Sequence, residues 1–325
     1  MPKTSPTIAR TCPLSVTHQC FTMNLNIKAN RGTKMTHRLL CFAALWLVLW
    51  GNDDSHAQET PLPQSHEYTA AMKRVAAKFS GRAGVVLHVG DSITYSNPYG
   101  AWARYGAGKT DEDKAVLAWM HAGKDDDSDG WWLCRVDLPG GRSHTACGGI
   151  RLNEMLAGGR SNMLSLAQLV EKYRPQVVVL MLGTNDASAG RKVDEFRRDF
   201  QQAVDLLTNA GVVPIVSTIP PHVGKRDLAR EYSETIRAVA KDRQLPLIDF
   251  EQEILKRRPD DWDGTLLNKG DVHPNTGING VTAASAPTAE NLKSSGYLLR
   301  GWLSVKKIAE VKVAVIDAAA KGSGR

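Results

Sequence analysis

Internal repeats and low-complexity tracts are absent from this sequence of 325 residues, and cysteines and long hydrophobic runs are scarce. The absence of repeats favours one globular domain over a repeat array. Hydrophobic residues make up 42% of the chain, enough for one large core or two small ones. We therefore predict a globular domain over residues 66–325, preceded by a leader (residues 1–57) and a linker (residues 58–65).

The apolar run at residues 39–50 is about a dozen residues long, too short to span a bilayer comfortably. Basic residues precede it, and Ser55-His56-Ala57 follows with small residues at both key positions of a cleavage site. This pattern predicts a signal peptide over residues 35–57, a secreted or periplasmic location, and no stable membrane span after cleavage. The alternative is an uncleaved anchor. The polar residues 1–34 make Met35 a candidate start of the chain.

A strong excess of charge of one sign is also missing. The formal net charge is +7, from 41 Lys and Arg against 34 Asp and Glu. The first 57 residues hold six of the basic and two of the acidic residues, so 35 basic and 32 acidic residues remain, a net charge near +3. That excess is too small to argue for a nucleic-acid partner.

Only two of the five cysteines, Cys134 and Cys147, lie beyond the leader. In an exported protein, two cysteines can pair and close a short loop. The alternative is a pair of buried free thiols. Sequence alone does not reveal the geometry that would decide between them.

Alternating strand and helix patterns indicate the α/β class. Nearly continuous apolar runs predict buried parallel strands at residues 84–89, 176–182, 212–217 and 245–250. Apolar residues at helical spacing predict helices over residues 66–79, 193–207, 228–239 and 297–315. This alternation implies a mainly parallel sheet covered by helices on both faces, in which sites form at the carboxyl ends of the strands.

Three short motifs fit that frame: GDSIT after the first strand, GTND after the second, and DVHP late in the chain. Each is weak alone, because a serine after a strand is more often a helix cap and Asn-Asp more often a turn. Together they supply the groups that acyl transfer needs. Ser92 is a hydroxyl, His273 an imidazole base, Asp271 a carboxylate to orient it, and Asn185 an oxyanion donor.

At this point the chain resembles the SGNH (GDSL-like) hydrolases, whose blocks I, III and V look like these motifs over most of residues 84–274. The resemblance implies a flavodoxin-like three-layer fold and ester hydrolysis without a metal or organic cofactor. It assigns Ser92 as nucleophile and backbone oxyanion donor, His273 as base, and Asn185 as side-chain oxyanion donor. A further block resembles residues 147–156 and selects Gly149 as the third oxyanion donor, with Gly148 as the fallback.

The acid of the triad departs from the family pattern. The family places Asp three residues before the histidine, where this chain has Gly270, and Asp271 is only two residues before. We expect Asp271 to be the triad acid. The alternatives are a backbone carbonyl, Asp261 or Asp263.

An insertion at about residues 96–147 and the roughly fifty residues after His273 exceed a minimal member of the family. GAGKT in the insertion (residues 106–110) ends like a phosphate-binding loop but lacks the upstream glycine and strand. DDDSDG (residues 125–130) begins like a calcium loop but has Val136 at its twelfth position. We expect a solvated acidic turn there, with a loose surface Ca²⁺ site as the alternative.

The function that these features favour is an exported serine esterase. The export signal and the Trp-bearing insertion favour short acyl groups, acetyl above all, on carbohydrate, with a small ester or acetylated saccharide as substrate. Trp residues of the insertion either line the cleft or belong to the core. A lipase or lysophospholipase is one alternative. A non-catalytic glycan-binding protein on the same fold is another, because of the shifted aspartate.

Overall fold

A computed structural model describes residues 67–322. The predicted leader, signal peptide and linker lie outside the described residues. Within residues 67–322, no helix is both long enough and apolar enough to cross a membrane.

Four parallel strands form the central sheet in the order β1-β2-β3-β4. They are β1 (Val86–Gly90), β2 (Val177–Met181), β3 (Val213–Ser217) and β4 (Leu247–Ile248). Val86 pairs with Val177, and Val177 pairs with Val213, so the first three strands begin at one level and end at one edge. Each predicted apolar run overlaps one of these strands, and β1 extends one residue beyond its run, to Gly90.

Helices alternate with the strands, as the periodicity predicts. In chain order they are α1 (Thr69–Ala76), α2 (Ser92–Tyr95), α3 (Ala101–Tyr105), α4 (Asp111–Trp119), α5 (Gly130–Arg135), α6 (Leu152–Ala157), α7 (Leu166–Tyr173), α8 (Thr184–Ser188), α9 (Val193–Asn209), α10 (Arg226–Asp242), α11 (Phe250–Arg257), α12 (Gly296–Val311) and α13 (Ala318–Gly322). A π-helical segment, Lys312–Asp317, joins the last two. The predicted helix at residues 297–315 therefore changes its winding near residue 312.

The helices form two groups that cover the sheet. Helix α9 packs against α6, α7 and α10, whereas α12 packs against α3, α4 and α11. Every residue of β1, β2 and β3 is buried, so both faces of the sheet are covered. The predicted α/β fold, a parallel sheet between helical layers, is confirmed.

The open edge of β1 holds the remnant of a fifth strand. Ala146 forms a single parallel bridge with Gly90. The Gly90 N–H donates to Thr145 O over 3.4 Å, and the Cys147 N–H donates to Gly90 O over 3.2 Å. With this segment counted, the strands follow the flavodoxin-like order 2-1-3-4-5. The remnant leads directly into the Gly148-Gly149 pair.

The insertion is helical, and it packs against the extension that follows His273. Helices α3, α4 and α5 and the 3₁₀ turn Asn97–Gly100 make up much of it. Helix α12 of the extension packs against α3, α4 and this turn. The two departures from minimal length are therefore one structural feature, because each segment buries the apolar face of the other.

The GAGKT segment begins a helix. The Thr110 hydroxyl accepts the Asp113 N–H, and the Asp113 carboxylate accepts the Thr110 N–H, which is a capping box at the start of α4. Lys109 Nζ donates to Gly106 O over 2.6 Å. The lysine therefore closes its own turn, in the manner of a local cap.

Cys134 and Cys147 are buried free thiols, so the unpaired alternative is the one that the structure shows. Cys134 lies on α5, and Cys147 lies beside β1 at the start of the Gly148-Gly149 segment. Burial raises the pKa of the Cys134 thiol to about 12, which keeps it protonated and unreactive at neutral pH.

Candidate active site

Ser92 is the first residue of α2, the one-turn helix that follows β1. The buried carboxylate of Asp91 caps this turn by accepting the Ile93 N–H over 3.0 Å. The Thr94 and Tyr95 N–H groups donate to the Asp91 carbonyl. Within residues 67–322, the Ser92 N–H has no acceptor, as expected for the first helical position, and it is free to bind an anion.

His273 reaches Ser92 from a turn between α11 and α12. Asn268 N–H donates to His273 O over 2.9 Å, which closes the turn, and Leu267 pairs with Pro274 just outside it. The His273 Nε2 atom lies 2.8 Å from Ser92 Oγ. The nucleophile and base assigned from the motifs are thus in hydrogen-bond contact, although 181 positions separate them in the chain.

Asp271 contacts the other nitrogen of the imidazole. Its Oδ1 and Oδ2 atoms each lie 2.9 Å from His273 Nδ1. Partial burial raises the pKa of Asp271, but the hydrogen bonds from His273 and from the Val272 N–H outweigh it, so the pKa lies below its usual value. A carboxylate that is ionised at neutral pH favours the Nδ1–H tautomer of His273 and leaves Nε2 able to accept a proton.

The two alternative acids have other partners. Asp261 Oδ2 lies 3.3 Å from Arg258 Nη1. Asp263 Oδ1 accepts the Gly270 N–H over 2.7 Å and so anchors the turn that carries the triad acid. Of the three aspartates considered from the sequence, the structure brings Asp271 alone to the imidazole.

Asn185, in the first turn of α8, lies at the carboxyl end of β2. Its Nδ2 donates to Ile150 O over 3.1 Å and faces Asp91 Oδ2 over 3.4 Å. The first contact is a normal hydrogen bond that fixes the amide. The second is long, and a developing oxyanion between Ser92 and Asn185 would take its place.

Gly149 is distinguished from Gly148 by its free amide. The Gly148 N–H donates to Gly141 O over 2.9 Å, whereas the Gly149 N–H has no acceptor within residues 67–322. Gly149 has φ of +69°, and a Cβ there would lie 2.7 Å from Arg160 Nη2. Both the backbone and the available space therefore favour glycine at this position.

Sequence reasoning missed two buried carboxylates that hold this arrangement together. Asp91 accepts from the Ile93 N–H and faces the Asn185 amide. Asp186 Oδ2 accepts the Leu152 N–H over 3.0 Å, and its Oδ1 pairs with Arg191 over 2.5 Å. Asp91 belongs to the GDSIT motif and Asp186 to the GTND motif. Their place in these motifs was the signal that sequence reasoning could have used.

Burial dominates the electrostatics of Asp91. It raises the pKa of Asp91 to about 6, against the hydrogen bond from Ile93 and the positive charges of Arg300 and His273, which lower it. This carboxylate is ionised at neutral pH and protonated in mild acid. The charge state of the carboxyl group beside Asn185 therefore changes between mildly acidic and neutral pH.

Of the four tryptophans of the insertion, two belong to the core, which is one of the two alternatives that the sequence left open. Trp102 and Trp131 are 0% and 1% exposed, and the Trp131 ring stacks on the buried His88 imidazole. Trp119 and Trp132 are partly exposed. The Trp132 ring stacks on His144, and Lys312 Nζ lies 5.6 Å from the centre of the Trp119 ring.

The acidic turn of the insertion is neutralised by arginines. Asp125 pairs with Arg104 and, over 3.1 Å, with Arg135, while Asp129 pairs with Arg104 over 2.9 Å and caps α5. Among the residues that the structure describes, no group of three or more His, Cys, Asp or Glu side chains could hold a metal ion.

Known proteins resemble this chain over most of its described residues. No curated protein matches the sequence. Solved structures with a similar fold include a member of the lipolytic protein G-D-S-L family from Veillonella parvula (18% identity, 68% of this chain and 96% of that chain covered, TM-score 0.41). Another is a GDSL-like lipase from Bacteroides thetaiotaomicron (14%, 76% and 100%, 0.44). A third is a catalytic mutant of an acetylxylan esterase from Geobacillus stearothermophilus (17%, 71% and 96%, 0.44).

Residues 88–277 match the GDSL-like lipase/acylhydrolase family, and this match spans more than half of the chain. It begins in β1 and ends just after the DVHP motif, so it contains every residue of the site described above. The chain therefore belongs to the GDSL-like lipase/acylhydrolase family, the SGNH hydrolases.

Proposed function

We propose that this protein is an exported serine esterase that hydrolyses short-chain carboxylic esters, in particular acetyl groups on carbohydrate. The observation that carries the proposal is the hydrogen-bonded series from Ser92 Oγ to His273 Nε2 and from His273 Nδ1 to Asp271. This is the arrangement of nucleophile, base and orienting acid that acyl transfer needs.

In the first half of the reaction, His273 Nε2 takes the proton of the Ser92 hydroxyl while Oγ bonds to the ester carbonyl carbon. The negative charge that develops on the carbonyl oxygen is stabilised by the Ser92 and Gly149 N–H groups and the Asn185 amide. The tetrahedral intermediate then collapses. The bond to the alcohol oxygen breaks, and the alcohol leaves with the proton from His273, which yields the acyl-enzyme.

In the second half, a water molecule attacks the acyl-enzyme and gives its proton to His273 Nε2. The same donors stabilise the second oxyanion. Collapse releases the carboxylic acid and returns the proton to Ser92 Oγ. Asp271 keeps its proton-free carboxylate on Nδ1 throughout and stabilises the imidazolium that forms twice per cycle.

The surface of the molecule supports a short acyl group over a long one. Among residues 67–322, the exposed large hydrophobic side chains are Tyr105, Val223, Leu255 and Val313. They lie on four different segments of the chain, which argues against an extended apolar patch of the kind that binds a lipid chain.

The rim beside Gly149 supports a polar alcohol. Arg151 and Arg160 both pair with Glu154, and the Arg160 guanidinium lies against Gly149. A charged, hydrogen-bonding rim suits a sugar hydroxyl framework better than an acyl glycerol. Export is supported by the signal-peptide pattern at residues 35–57.

The test compares the purified wild type with Ser92→Ala on p-nitrophenyl esters from acetate to decanoate and on acetylated oligosaccharides. Ser96→Ala changes another hydroxyl of the same segment and serves as the control. We expect turnover of acetate esters to fall at least about 10³-fold in Ser92→Ala alone. Equal turnover in Ser92→Ala would refute the serine mechanism, and activity rising steeply with acyl length would assign a lipase instead.

A further inference from the structure

Arg300, on helix α12, is a buried cation that has no carboxylate partner within the described part of the chain. Within residues 67–322, the two cations with almost no exposed surface are Arg300 (3%) and Lys307 (5%), both on α12. Lys307 Nζ lies 2.7 Å from a carboxylate oxygen of Glu310. Arg300 forms no such pair with any of the residues that the structure describes. Its burial therefore costs free energy that its other contacts must offset.

Those contacts are with the turn that carries the nucleophile. Arg300 Nη1 donates to Ile93 O over 2.8 Å, and Nη2 donates to Thr94 Oγ1 over 2.8 Å. The Ile93 carbonyl is one of the acceptors that a helix of four residues leaves unpaired. A planar guanidinium binds this carbonyl and the neighbouring Thr94 hydroxyl at once.

The Tyr99 ring packs against the guanidinium of Arg300. Arg300 Cζ lies 3.7 Å from the centre of the Tyr99 ring. The Tyr99 hydroxyl lies 3.1 Å from His88 Nδ1 and 3.0 Å from Ser304 Oγ. Burial, and secondarily Arg300, holds the pKa of His88 well below its usual value, so that imidazole stays neutral. Arg300 is thus the positive charge of this buried group of side chains.

We propose that Arg300 is a positioning residue that clamps α2 at Ile93 and Thr94 and thereby fixes the direction in which the Ser92 hydroxyl and N–H point. This inference rests on the proposed function, since it assigns a role relative to the Ser92 nucleophile. A helix of four residues cannot hold its own geometry, because one turn gains too few hydrogen bonds to offset its ordering. An external clamp is therefore required where a shift of about 1 Å would cost on the order of 10²-fold in rate.

The charge of Arg300 has a second effect through Asp91, which precedes α2 and caps its first turn. The charged and titratable groups that act on Asp91 are Arg300, His273, Asp186 and Tyr297, and the two cations among them favour its ionised form. Ionised Asp91 faces the Asn185 amide. Loss of the Arg300 charge would raise the pKa of Asp91 and leave that carboxyl protonated at a higher pH.

The test uses three variants of the full chain. Arg300→Met removes the charge and both hydrogen bonds, and Arg300→Lys keeps the charge but not the planar fork. Lys307→Met removes the other buried cation of the same helix, which does not contact α2, and is the matched control. For each variant, kcat and KM for p-nitrophenyl acetate are measured from pH 4.5 to 9, at a temperature well below its own melting midpoint.

We expect kcat of Arg300→Met to fall 10- to 100-fold with KM changed less than threefold, and the acid limb of its pH profile to move to higher pH. Arg300→Lys should lose several-fold in kcat and keep the wild-type acid limb. Lys307→Met should lose thermal stability while kcat and the acid limb stay as in the wild type. Wild-type kcat in both Arg300 variants, or the same kcat loss in Lys307→Met, would overturn the proposal.

Asp91→Asn and the double variant Asp91→Asn/Arg300→Met test whether the shift of the acid limb arises through Asp91. If the shift arises through Asp91, the two Asp91→Asn proteins have the same acid limb. A shift between them as large as in the wild-type background overturns this part.

Activity measurements on Ser92→Ala and on the Arg300 variants distinguish failure of the clamp from failure of the proposed function. Where Ser92→Ala loses activity and the Arg300 variants do not, the inference fails and the esterase stands. Where Ser92→Ala keeps activity, the proposed function itself fails. If Arg300→Met does not fold, Arg300→Lys and Thr94→Val, which removes one acceptor of the clamp, decide the matter. Wild-type kcat in both refutes the clamp.

Discussion

The carboxylate of Asp271 reaches its imidazole from two residues away because Gly270 supplies an unusual backbone conformation. Gly270 has φ of +73°, in the left-handed region that residues with a side chain rarely adopt. The turn it makes directs the next side chain back toward His273, and the Asp263 carboxylate fixes it by accepting the Gly270 N–H. The glycine that replaces the family's aspartate is therefore what makes the shorter spacing work.

Replacement of the triad acid tests this geometry at a single residue. Asp271→Asn would present an amide to Nδ1 and favour the wrong imidazole tautomer, so we expect kcat for p-nitrophenyl acetate to fall on the order of 10³- to 10⁴-fold. Asp261→Asn, at a half-exposed aspartate paired with Arg258, should stay within about twofold of the wild type. Comparable losses in the two variants would return the acid assignment to the alternatives.

Asp271 is expected to contribute less to the stability of the protein than to its turnover. Asp271 is partly exposed, and its pKa lies below the usual value because of its hydrogen bonds to His273 and Val272, after the opposing effect of burial. The contribution of such a carboxylate is present above its unfolded pKa and is lost as the pH falls through its folded pKa. Because the side chain is 44% exposed, solvent screens this contribution and keeps it small in the neutral range. Asp271→Asn should therefore affect turnover far more than the melting temperature.

At the scale of the elements, α8 is the part that joins the two halves of the oxyanion site. Its Asn185 donates to Ile150 O, and its Asp186 accepts the Leu152 N–H, so two neighbouring residues hold both sides of the segment that follows Gly149. Helix α6 has no side-chain N-cap of the usual kind, since Arg151 precedes it. The Asp186 carboxylate takes over that role from another element.

A pair of aspartates on one arginine gives a matched test of that link. Arg191 pairs with Asp186 over 2.5 Å and with Asp199 over 2.7 Å, and only the first of these carboxylates also holds α6. We expect Asp186→Ala to lower the free energy of unfolding by about 3 kcal/mol and kcat by at least tenfold. Urea denaturation and steady-state rates measure both quantities.

Asp199→Asn is the control, because it weakens the same ion-pair network without releasing α6. It should lower stability by a similar or smaller amount and leave kcat near the wild-type value. If the two variants lose the same fraction of kcat, the role of α8 in holding the oxyanion segment is wrong.

Sequence patterns predicted the elements whose burial is uniform. The strands were predictable because runs such as residues 176–182 are apolar on both faces, and the site motifs were predictable because the strand ends meet at one edge. The edge strand at residues 145–147 was not predictable, since it holds a single bridge and has no periodic pattern. Nor was the partner of Arg300, because an arginine inside an apolar helix gives no information about which distant carbonyls it meets.

Across the whole molecule, the insertion and the C-terminal extension form one support behind the nucleophile. Helix α12 packs against α3 and α4 and sends Arg300 to α2. A minimal member of the fold would need another way to hold the same turn. The extra length of this chain thus supports the Ser92 turn.

The buried charge of Asp91 makes the stability of the whole protein depend on pH. Its folded pKa of about 6 lies above its usual value of 3.8, so the folded state binds this proton more tightly than the unfolded state. For a group with a raised pKa, the stabilising contribution is fully present below pH 4 and is lost as the pH rises through 6. A shift of two pKa units corresponds to at most about 3 kcal/mol.

Asp91→Asn removes that titration and keeps an oxygen for the Ile93 N–H. We therefore expect the free energy of unfolding of the variant, relative to the wild type, to rise by up to about 3 kcal/mol between pH 4 and pH 7 and then to level off. Urea denaturation at pH 4.5, 5.5, 6.5 and 7.5 measures it. A difference that stays constant over this range would show that Asp91 does not titrate there. A variant that is more stable yet less active at pH 7.5 would mean that this buried charge is retained for catalysis at the expense of stability.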